Sequence, residues 1–170
     1  MKKKVLMVIA PDKFRDEEYN EPRRILEGRG CTVTVASTSI EPATGMLGGV
    51  VRPDTTIDKV KAADFDAVVF VGGYGAQRLY DDRRAHTLAN EALKGGKALG
   101  AICVSPTILA NAGALRGRRA TVWPDQSKAV IAGGATYTAK PVEQDGMVIT
   151  ADGPASAVQF GEAIARALGL

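Results

Sequence analysis

Short apolar runs alternate with amphipathic stretches along most of the chain. Residues 5–10, 66–71 and 98–102 are largely apolar, and residues 32–36 are rich in β-branched side chains, so each run predicts a strand. Continuous apolar strands that alternate with helices are typical of a parallel sheet covered on both faces. The pattern therefore predicts a three-layer, doubly wound α/β/α sandwich.

The amphipathic stretches predict four helices, and one further segment predicts a hairpin. The helices are expected at residues 17–29, 84–94, 106–112 and 156–168, with glycines marking the ends of the first two. Within residues 142–150, the sequence Glu143-Gln144-Asp145-Gly146 separates two β-rich halves, which indicates a small antiparallel addition. A chain of 170 residues without repeats or linkers is expected to form one domain, residues 1–170.

Composition narrows the classes of partner. The net charge is only +3 and the aromatic content is 5%, which does not favour nucleic-acid binding. The basic start, Lys2–Lys4, precedes an apolar run that ends at Pro11-Asp12. That run is too short to cross a bilayer and lacks a small-residue cleavage site. We therefore expect a cytoplasmic protein with no nucleic-acid or membrane partner.

Cysteine and histidine are scarce. Cys31 and Cys103 cannot form a disulfide framework, and no Cys/His cluster suggests a metal site. We therefore expect neither metal nor cofactor. His86, the single histidine, lies in a polar helix start and is expected to be a solvated surface residue. Cys31 begins a strand directly after Gly30 and is expected to be a core residue.

Cys103 lies at a predicted strand-to-helix turn, in Gly100-Ala101-Ile102-Cys103-Val104-Ser105-Pro106. A nucleophile elbow requires small residues two positions before and after the nucleophile, and Ala101 and Ser105 satisfy this requirement. Ser105 is expected to cap the following helix, whose N-terminus would favour a thiolate. The alternative is a buried core cysteine, but the position favours a reactive thiol.

Two further strand ends carry distinctive residues at the same predicted sheet edge. Gly72-Gly73-Tyr74-Gly75-Ala76 lacks the third glycine of a dinucleotide fingerprint, because position 78 is Arg78. Gly73 could instead bring an N–H close to the sulfur as an oxyanion donor, or form a simple turn. Glu17 and Glu18 begin a helix, where acidic residues are common, so this pattern alone singles out neither.

Taken together, the chain resembles the ThiJ/PfpI superfamily, which includes the Parkinson-disease protein deglycase and intracellular proteases of the PfpI type. The resemblance covers nearly the whole chain. It rests on four segments: Glu18-Tyr19-Asn20-Glu21-Pro22, Gly72-Gly73-Tyr74-Gly75-Ala76, Ala101-Ile102-Cys103-Val104-Ser105-Pro106-Thr107 and Ala151-Asp152-Gly153-Pro154.

This resemblance implies a flavodoxin-like fold and a homodimer. It makes Cys103 the reactive cysteine, Glu18 a protonated acid that hydrogen-bonds the sulfur, and Gly73 the backbone donor. A carboxyl group beside a thiolate in a low-dielectric pocket has a raised pKa and becomes a donor. The pocket implied around these residues is formed by Val104, Trp123, Gly72, Arg15 and Pro154.

Three positions depart from the family pattern. Val104 stands where PfpI-type proteases have histidine, and Trp123 stands where the deglycase branch has histidine before a proline. Proton transfer would then depend on Glu18 or water. Asp152 replaces an arginine of the deglycase branch, which predicts a different charge facing the ligand.

Three functions follow as hypotheses. The first is an enzyme that acts on small reactive carbonyls such as methylglyoxal, like a glyoxalase III or a deglycase. The second is a non-enzymatic redox or stress protein, a sensor or chaperone, that works through oxidation of Cys103. The third is a PfpI-type cysteine peptidase, which Val104 and the single histidine disfavour.

Overall fold

A seven-stranded sheet forms the middle layer of the protein, and two small sheets lie beside it. The structure is a computed structural model that describes residues 1–170. Its strands are β1 (Lys4–Val8), β2 (Asp12–Phe14), β3 (Thr32–Ser37), β4 (Ala43–Gly45), β5 (Val50–Val51), β6 (Thr55–Thr56), β7 (Ala67–Phe70), β8 (Ala98–Ile102), β9 (Arg119–Ala120), β10 (Thr136–Tyr137), β11 (Val142–Asp145) and β12 (Val148–Ala151).

Five α-helices connect and cover these strands. They are α1 (Asp16–Gly28), α2 (Arg83–Lys94), α3 (Pro106–Asn111), α4 (Ser127–Ala132) and α5 (Ala157–Ala167). None of the five combines the length and the apolar character that crossing a bilayer requires. The predicted strands and helices are confirmed to within two residues at their ends, which is the usual uncertainty of such boundaries.

The main sheet has the strand order β11-β12-β8-β7-β1-β3-β6. All neighbouring strands are parallel except β11, which pairs antiparallel with β12 as the predicted hairpin. Counted along the chain, the five central parallel strands follow the order 2-1-3-4-5, which is that of flavodoxin-like folds. The expected α/β/α architecture with a small antiparallel part is therefore confirmed.

Each face of the sheet carries its own apolar core. On one face, Leu26 of α1 and Phe160 and Ile164 of α5 pack against side chains of the central strands. On the other face, the sheet is covered by side chains such as Leu88 of α2 and Ile108 of α3. Burial on both faces explains why the central strands are continuous apolar runs rather than alternating patterns.

The strand register brings the ends of the central strands to one edge of the sheet. Val8 of β1 pairs with Phe70 of β7, and Phe70 pairs with Ala101 of β8, so the three strands end almost level. Beside this edge lies a small sheet in which β4 pairs with both β2 and β5. The segments that follow β1, β7 and β8 therefore meet at one edge, where ligands bind in open parallel sheets.

Candidate active site

Cys103 occupies the sharp turn between β8 and α3. Its φ of +65° lies in the left-handed region, which a residue with a side chain rarely adopts. Two backbone hydrogen bonds hold this conformation: the Cys103 N–H donates to Ala151 O at 2.9 Å, and the Trp123 N–H donates to Cys103 O at 2.7 Å. Strained residues of this kind cluster at functional sites. The turn therefore has the geometry of the predicted nucleophile elbow. Cys103 itself is only 8% exposed.

Ser105 does not cap α3 through its side chain, so that prediction is wrong. The Ser105 hydroxyl instead donates a buried hydrogen bond to Val71 O at 2.7 Å. Val71 immediately follows β7, and its carbonyl would otherwise lie unpaired in the interior. Ser105 therefore ties the elbow to the neighbouring strand end.

Two glycines allow three segments of the chain to converge. A Cβ atom at Gly72 would overlap Glu18 Oε1 and would stand 2.6 Å from both Cys103 Cβ and Ile102 O. Gly73 has a φ of +107°, and its α-carbon faces the backbone of the segment before α1. Any side chain at position 72 would therefore separate Glu18 from Cys103, and the structure confirms that the predicted sheet-edge residues lie together.

Glu18 is fully buried, and neither of its carboxyl oxygens forms a hydrogen bond within normal limits. Burial raises the pKa of the Glu18 carboxyl from 4.5 to about 8, because a charge there is poorly solvated. The nearby Cys103 side chain, the Arg15 charge and the Gly72 N–H oppose this shift but do not cancel it. Glu18 therefore keeps its proton near neutral pH, as the family resemblance implied.

The thiol of Cys103 is subject to opposing influences. Burial raises the pKa of the Cys103 thiol above its ordinary value, and the Glu18 carboxylate raises it further. The backbone N–H groups of Gly73 and Val104 point toward the sulfur and lower the pKa. Burial is the largest influence, and it opposes the thiolate that the helix N-terminus was expected to favour. Glu18 and Cys103 therefore titrate as a coupled pair that carries at most one charge near neutral pH.

A cavity of about 370 Å³ opens over the sulfur. Six of the predicted residues line it: Arg15, Gly73, Cys103, Val104, Trp123 and Pro154. Glu18 and Gly72 are buried beside Cys103 and do not line it. Six further lining residues were not predicted: Met46, Tyr74, Gln77, Tyr80, Asp125 and Gln126. Three of them had a sequence signal: Tyr74 lies within the glycine motif, and Asp125 and Gln126 directly follow Trp123-Pro124.

Arg15 is the cationic residue in the cavity wall. Its guanidinium forms two hydrogen bonds to the Glu17 carboxylate, at 2.9 and 3.0 Å. Its backbone N–H donates to Gly72 O at 3.0 Å, which attaches the start of α1 to the glycine turn. The Glu17 hydrogen bond raises the pKa of Arg15, so this group remains charged.

Two other polar residues do not have the surroundings that the sequence predicted. Asp152 accepts a hydrogen bond from the Ser156 hydroxyl at 2.6 Å and does not line the cavity, so it does not set the charge facing a ligand. His86 is only half-exposed, and its Nε2 lies 2.8 Å from Tyr80 O. His86 also lies outside the cavity lining, so it supplies neither a charge nor a proton to Cys103.

Cys31 is buried in the apolar core, as predicted. Burial raises the pKa of the Cys31 thiol and the Asp66 charge raises it further, the Lys3 charge lowers it, and no backbone N–H favours the thiolate as those of Gly73 and Val104 do at Cys103. The two cysteines remain free thiols. No three His, Cys, Asp or Glu side chains are arranged to hold a metal ion.

Comparison with known proteins gives a consistent family relationship. A Methanocaldococcus jannaschii protein is 41% identical over 168 residues, which span 97% of this chain and 82% of that protein. A deglycase of Pyrococcus horikoshii is 35% identical over 152 residues, 89% of this chain and 91% of the deglycase. The crystal structure of a ThiJ/PfpI domain protein from Brachyspira murdochii has a TM-score of 0.96 and 36% identity, with 99% of this chain and 98% of that chain covered.

The family model gives the same result over almost the full length. The model described as the DJ-1/PfpI family matches residues 3–167, which include the elbow, the glycine turn and Glu18. This match confirms the resemblance drawn from the four sequence segments. The chain therefore belongs to the DJ-1/PfpI family.

Proposed function

We propose that this protein is a cysteine-dependent enzyme that acts on small reactive carbonyl compounds such as methylglyoxal. The observation that carries the proposal is the convergence of the Cys103 sulfur, the buried Glu18 carboxyl and the Gly73 N–H at one end of a small cavity. A nucleophile, a proton carrier and an oxyanion donor are the groups that carbonyl addition requires. Similarity to a protein named a deglycase supports the same reaction class.

The first step forms a hemithioacetal. In the molecules whose Glu18 is ionised, the thiol proton passes to the Glu18 carboxylate, the Cys103 sulfur bonds to the aldehyde carbon, and the π electron pair moves to the carbonyl oxygen. The Gly73 N–H donates to the developing oxyanion, which then takes up the proton that Glu18 received, so Glu18 is a carboxylate again. The net change is addition of the thiol across the C=O bond, without loss of any atom.

The following steps would convert the adduct to lactate. Glu18 removes the proton from the former aldehyde carbon, whose electron pair forms a C=C bond while the adjacent carbonyl oxygen takes up a proton, which gives an enediol. Glu18 then returns a proton to the adjacent carbon, and the hydroxyl on the sulfur-bearing carbon loses its proton to become the C=O of a lactate thioester. Water then hydrolyses the thioester and releases lactate and the free thiol. Across the whole cycle, methylglyoxal and one water give lactate.

The pKa of Glu18 suits this relay. A group that accepts and returns a proton works best when its pKa lies near the working pH, and that of Glu18 is about 8. Val104 and Trp123 line the cavity but cannot transfer a proton as the histidines at their positions would. Glu18 is therefore the acid–base group of the proposed cycle.

Methylglyoxal consumption without added glutathione tests the proposal. Wild type should produce lactate catalytically, whereas Cys103→Ala and Glu18→Gln should lose turnover, the latter by roughly 10²–10⁴-fold. Cys31→Ser is the matched control, because it changes the other buried thiol, and it should retain turnover. A wild type that forms only a stoichiometric adduct, with no lactate, would contradict the proposal.

A redox role is the second candidate, favoured by the location of Cys103 beside an acid that keeps its proton. Mild peroxide should then add two oxygens to Cys103, and intact-mass measurement should show Cys31 unmodified. Glu18→Leu should weaken this selectivity, because a sulfinate would lose its proton donor. Hydrolysis of casein that disappears in Cys103→Ala would instead favour the peptidase.

A further inference from the structure

One residue of the cavity wall has a buried hydroxyl that the proposed cycle does not use. Tyr80 lines the same cavity as Cys103, and its hydroxyl is buried without a hydrogen-bond partner. A buried phenol normally has a partner, because leaving the group unpaired costs free energy. Tyr80 therefore lines the cavity with a phenol whose hydrogen bond no protein group accepts.

The neighbours of Tyr80 leave its hydroxyl free while holding its backbone. The Thr107 hydroxyl lies near enough to lower the pKa of Tyr80 but forms no hydrogen bond of normal geometry with the phenol, and it donates to Gln126 Oε1 at 3.0 Å. The Tyr80 carbonyl is held by His86 Nε2 at 2.8 Å and by the Asn111 amide at 3.1 Å. The single histidine therefore helps to fix Tyr80 from outside the cavity.

The phenol stays protonated under working conditions. Burial raises the pKa of Tyr80 to about 12, and a thiolate at Cys103, which lines the same cavity, adds to this rise. A protonated phenol near the sulfur can donate to an oxygen on the carbon that the sulfur attacks.

We propose that Tyr80 is a catalytic residue whose phenol donates a hydrogen bond to the substrate oxygen that gains negative charge when Cys103 adds to the carbonyl. Tyr80 and Gly73 would then both donate hydrogen bonds to the substrate oxygens. Tyr80 would supply a side-chain donor in a cavity that has no histidine at positions 104 and 123. No bond to Tyr80 forms or breaks, and its proton stays on the phenol. This inference rests on the carbonyl chemistry proposed above.

The test compares two reactions of the same thiol. Alkylation by iodoacetamide creates no oxyanion, so its rate at Cys103 should be the same in wild type and Tyr80→Phe. Addition to methylglyoxal does create one. Methylglyoxal that has added to Cys103 protects the thiol from iodoacetamide. The same degree of protection should therefore require roughly 10–100-fold more methylglyoxal in Tyr80→Phe than in wild type, as expected for loss of a hydrogen bond to a charged group. Lactate production, where present, should fall by about 10²-fold or more.

Tyr137→Phe is the matched control. Tyr137 packs against the apolar core and does not line the cavity, so removing its hydroxyl should change neither reaction. Equal methylglyoxal protection in wild type and Tyr80→Phe would overturn the role of Tyr80, even if wild type makes lactate. Weaker protection in Tyr80→Phe together with absence of lactate from wild type would uphold Tyr80 and overturn the proposed turnover. Slower alkylation in Tyr80→Phe would show that Tyr80 shapes the thiol itself and would also overturn the proposal, as would absence of protection in wild type.

Discussion

At the scale of single residues, two buried carboxyl groups in the first turn of α1 differ in their hydrogen-bond partners. Asp16 accepts hydrogen bonds from Leu47 N at 2.9 Å and Gly49 N at 2.8 Å, so its charge is well compensated. Glu18 has no such partners, and burial raises its pKa to about 8. Two neighbouring acidic residues thus differ in their surroundings: Asp16 is paired with backbone N–H groups, and burial without such partners raises the pKa of Glu18.

The pKa of Glu18 predicts how stability depends on pH. Below pH 4.5 Glu18 is protonated in both the folded and unfolded states. Between about pH 4.5 and 8 the folded state holds a proton that the unfolded state has released. The free energy of unfolding of wild type should therefore fall, relative to Glu18→Gln, by up to about 1.4 kcal/mol per pH unit in this range.

Urea unfolding of both proteins at several pH values between 4 and 9 measures this difference. Glutamine mimics the protonated carboxyl and does not titrate, so groups that do not interact with Glu18 cancel in the comparison. If the two stability profiles run parallel across this range, Glu18 does not hold a proton in the folded protein.

At the scale of elements, Asp16 holds the hairpin of β4 and β5 against the start of α1. Its carboxylate fills the space beside two glycines: a Cβ atom at Gly45 or Gly49 would stand 2.6 Å from atoms of the carboxylate. The hairpin carries Met46 into the cavity wall, where the Met46 sulfur accepts a hydrogen bond from Tyr74 N at 3.4 Å. One buried carboxylate thus determines where part of the cavity wall lies.

Asp16→Ala should release this hairpin. The substitution removes both acceptors, so we expect a loss of about 1.5–3 kcal/mol in the free energy of unfolding, the range for one hydrogen bond to a charged group, or more. Hydrogen exchange at the amides of Leu47 and Gly49 should become faster, while amides of β1 remain protected. Asp64→Ala, at an exposed aspartate, is the control and should leave exchange in the hairpin unchanged. Unaltered protection at both amides in Asp16→Ala would contradict this role.

At the scale of the whole molecule, the parallel sheet brings together groups that are distant in sequence. The hairpin of β4 and β5 beside this sheet exposes apolar side chains to solvent. Leu47 and Val50 are 63% and 67% exposed, and exposed Met46 lies next to them. Neighbouring exposed apolar side chains often mark an interface between proteins. This observation is consistent with the homodimer that the family resemblance implies, which stays a prediction.

Sedimentation velocity tests the dimer and its location. We expect wild type to sediment as a dimer and the double variant Leu47→Lys/Val50→Lys to sediment as a monomer, because burying two lysines at an interface is costly. Ile131→Lys is the control: Ile131 is equally apolar and exposed, but it lies on α4 and should not affect assembly. A monomeric wild type, or a double variant that stays dimeric, would contradict this interface.

The sequence by itself determined the layers of the fold and the elbow. Continuous apolar runs and glycine stops depend on local pattern, so the main strands and helices could be predicted closely, as could the turn at Cys103. The role of Glu18 was suggested only by the family resemblance, because an acidic residue at a helix start has the same local pattern whether it is solvated or buried.

Only the tertiary structure decided how the site groups are solvated and paired. Asp16 and its partners are 31 and 33 residues apart, and Ser105 and its acceptor are 34 apart, so no local pattern links them. The orphan hydroxyl of Tyr80 and the raised pKa of the Cys103 thiol have the same origin. Both depend on which atoms exclude water from a group, and that is determined by segments that meet only after the sheet has formed.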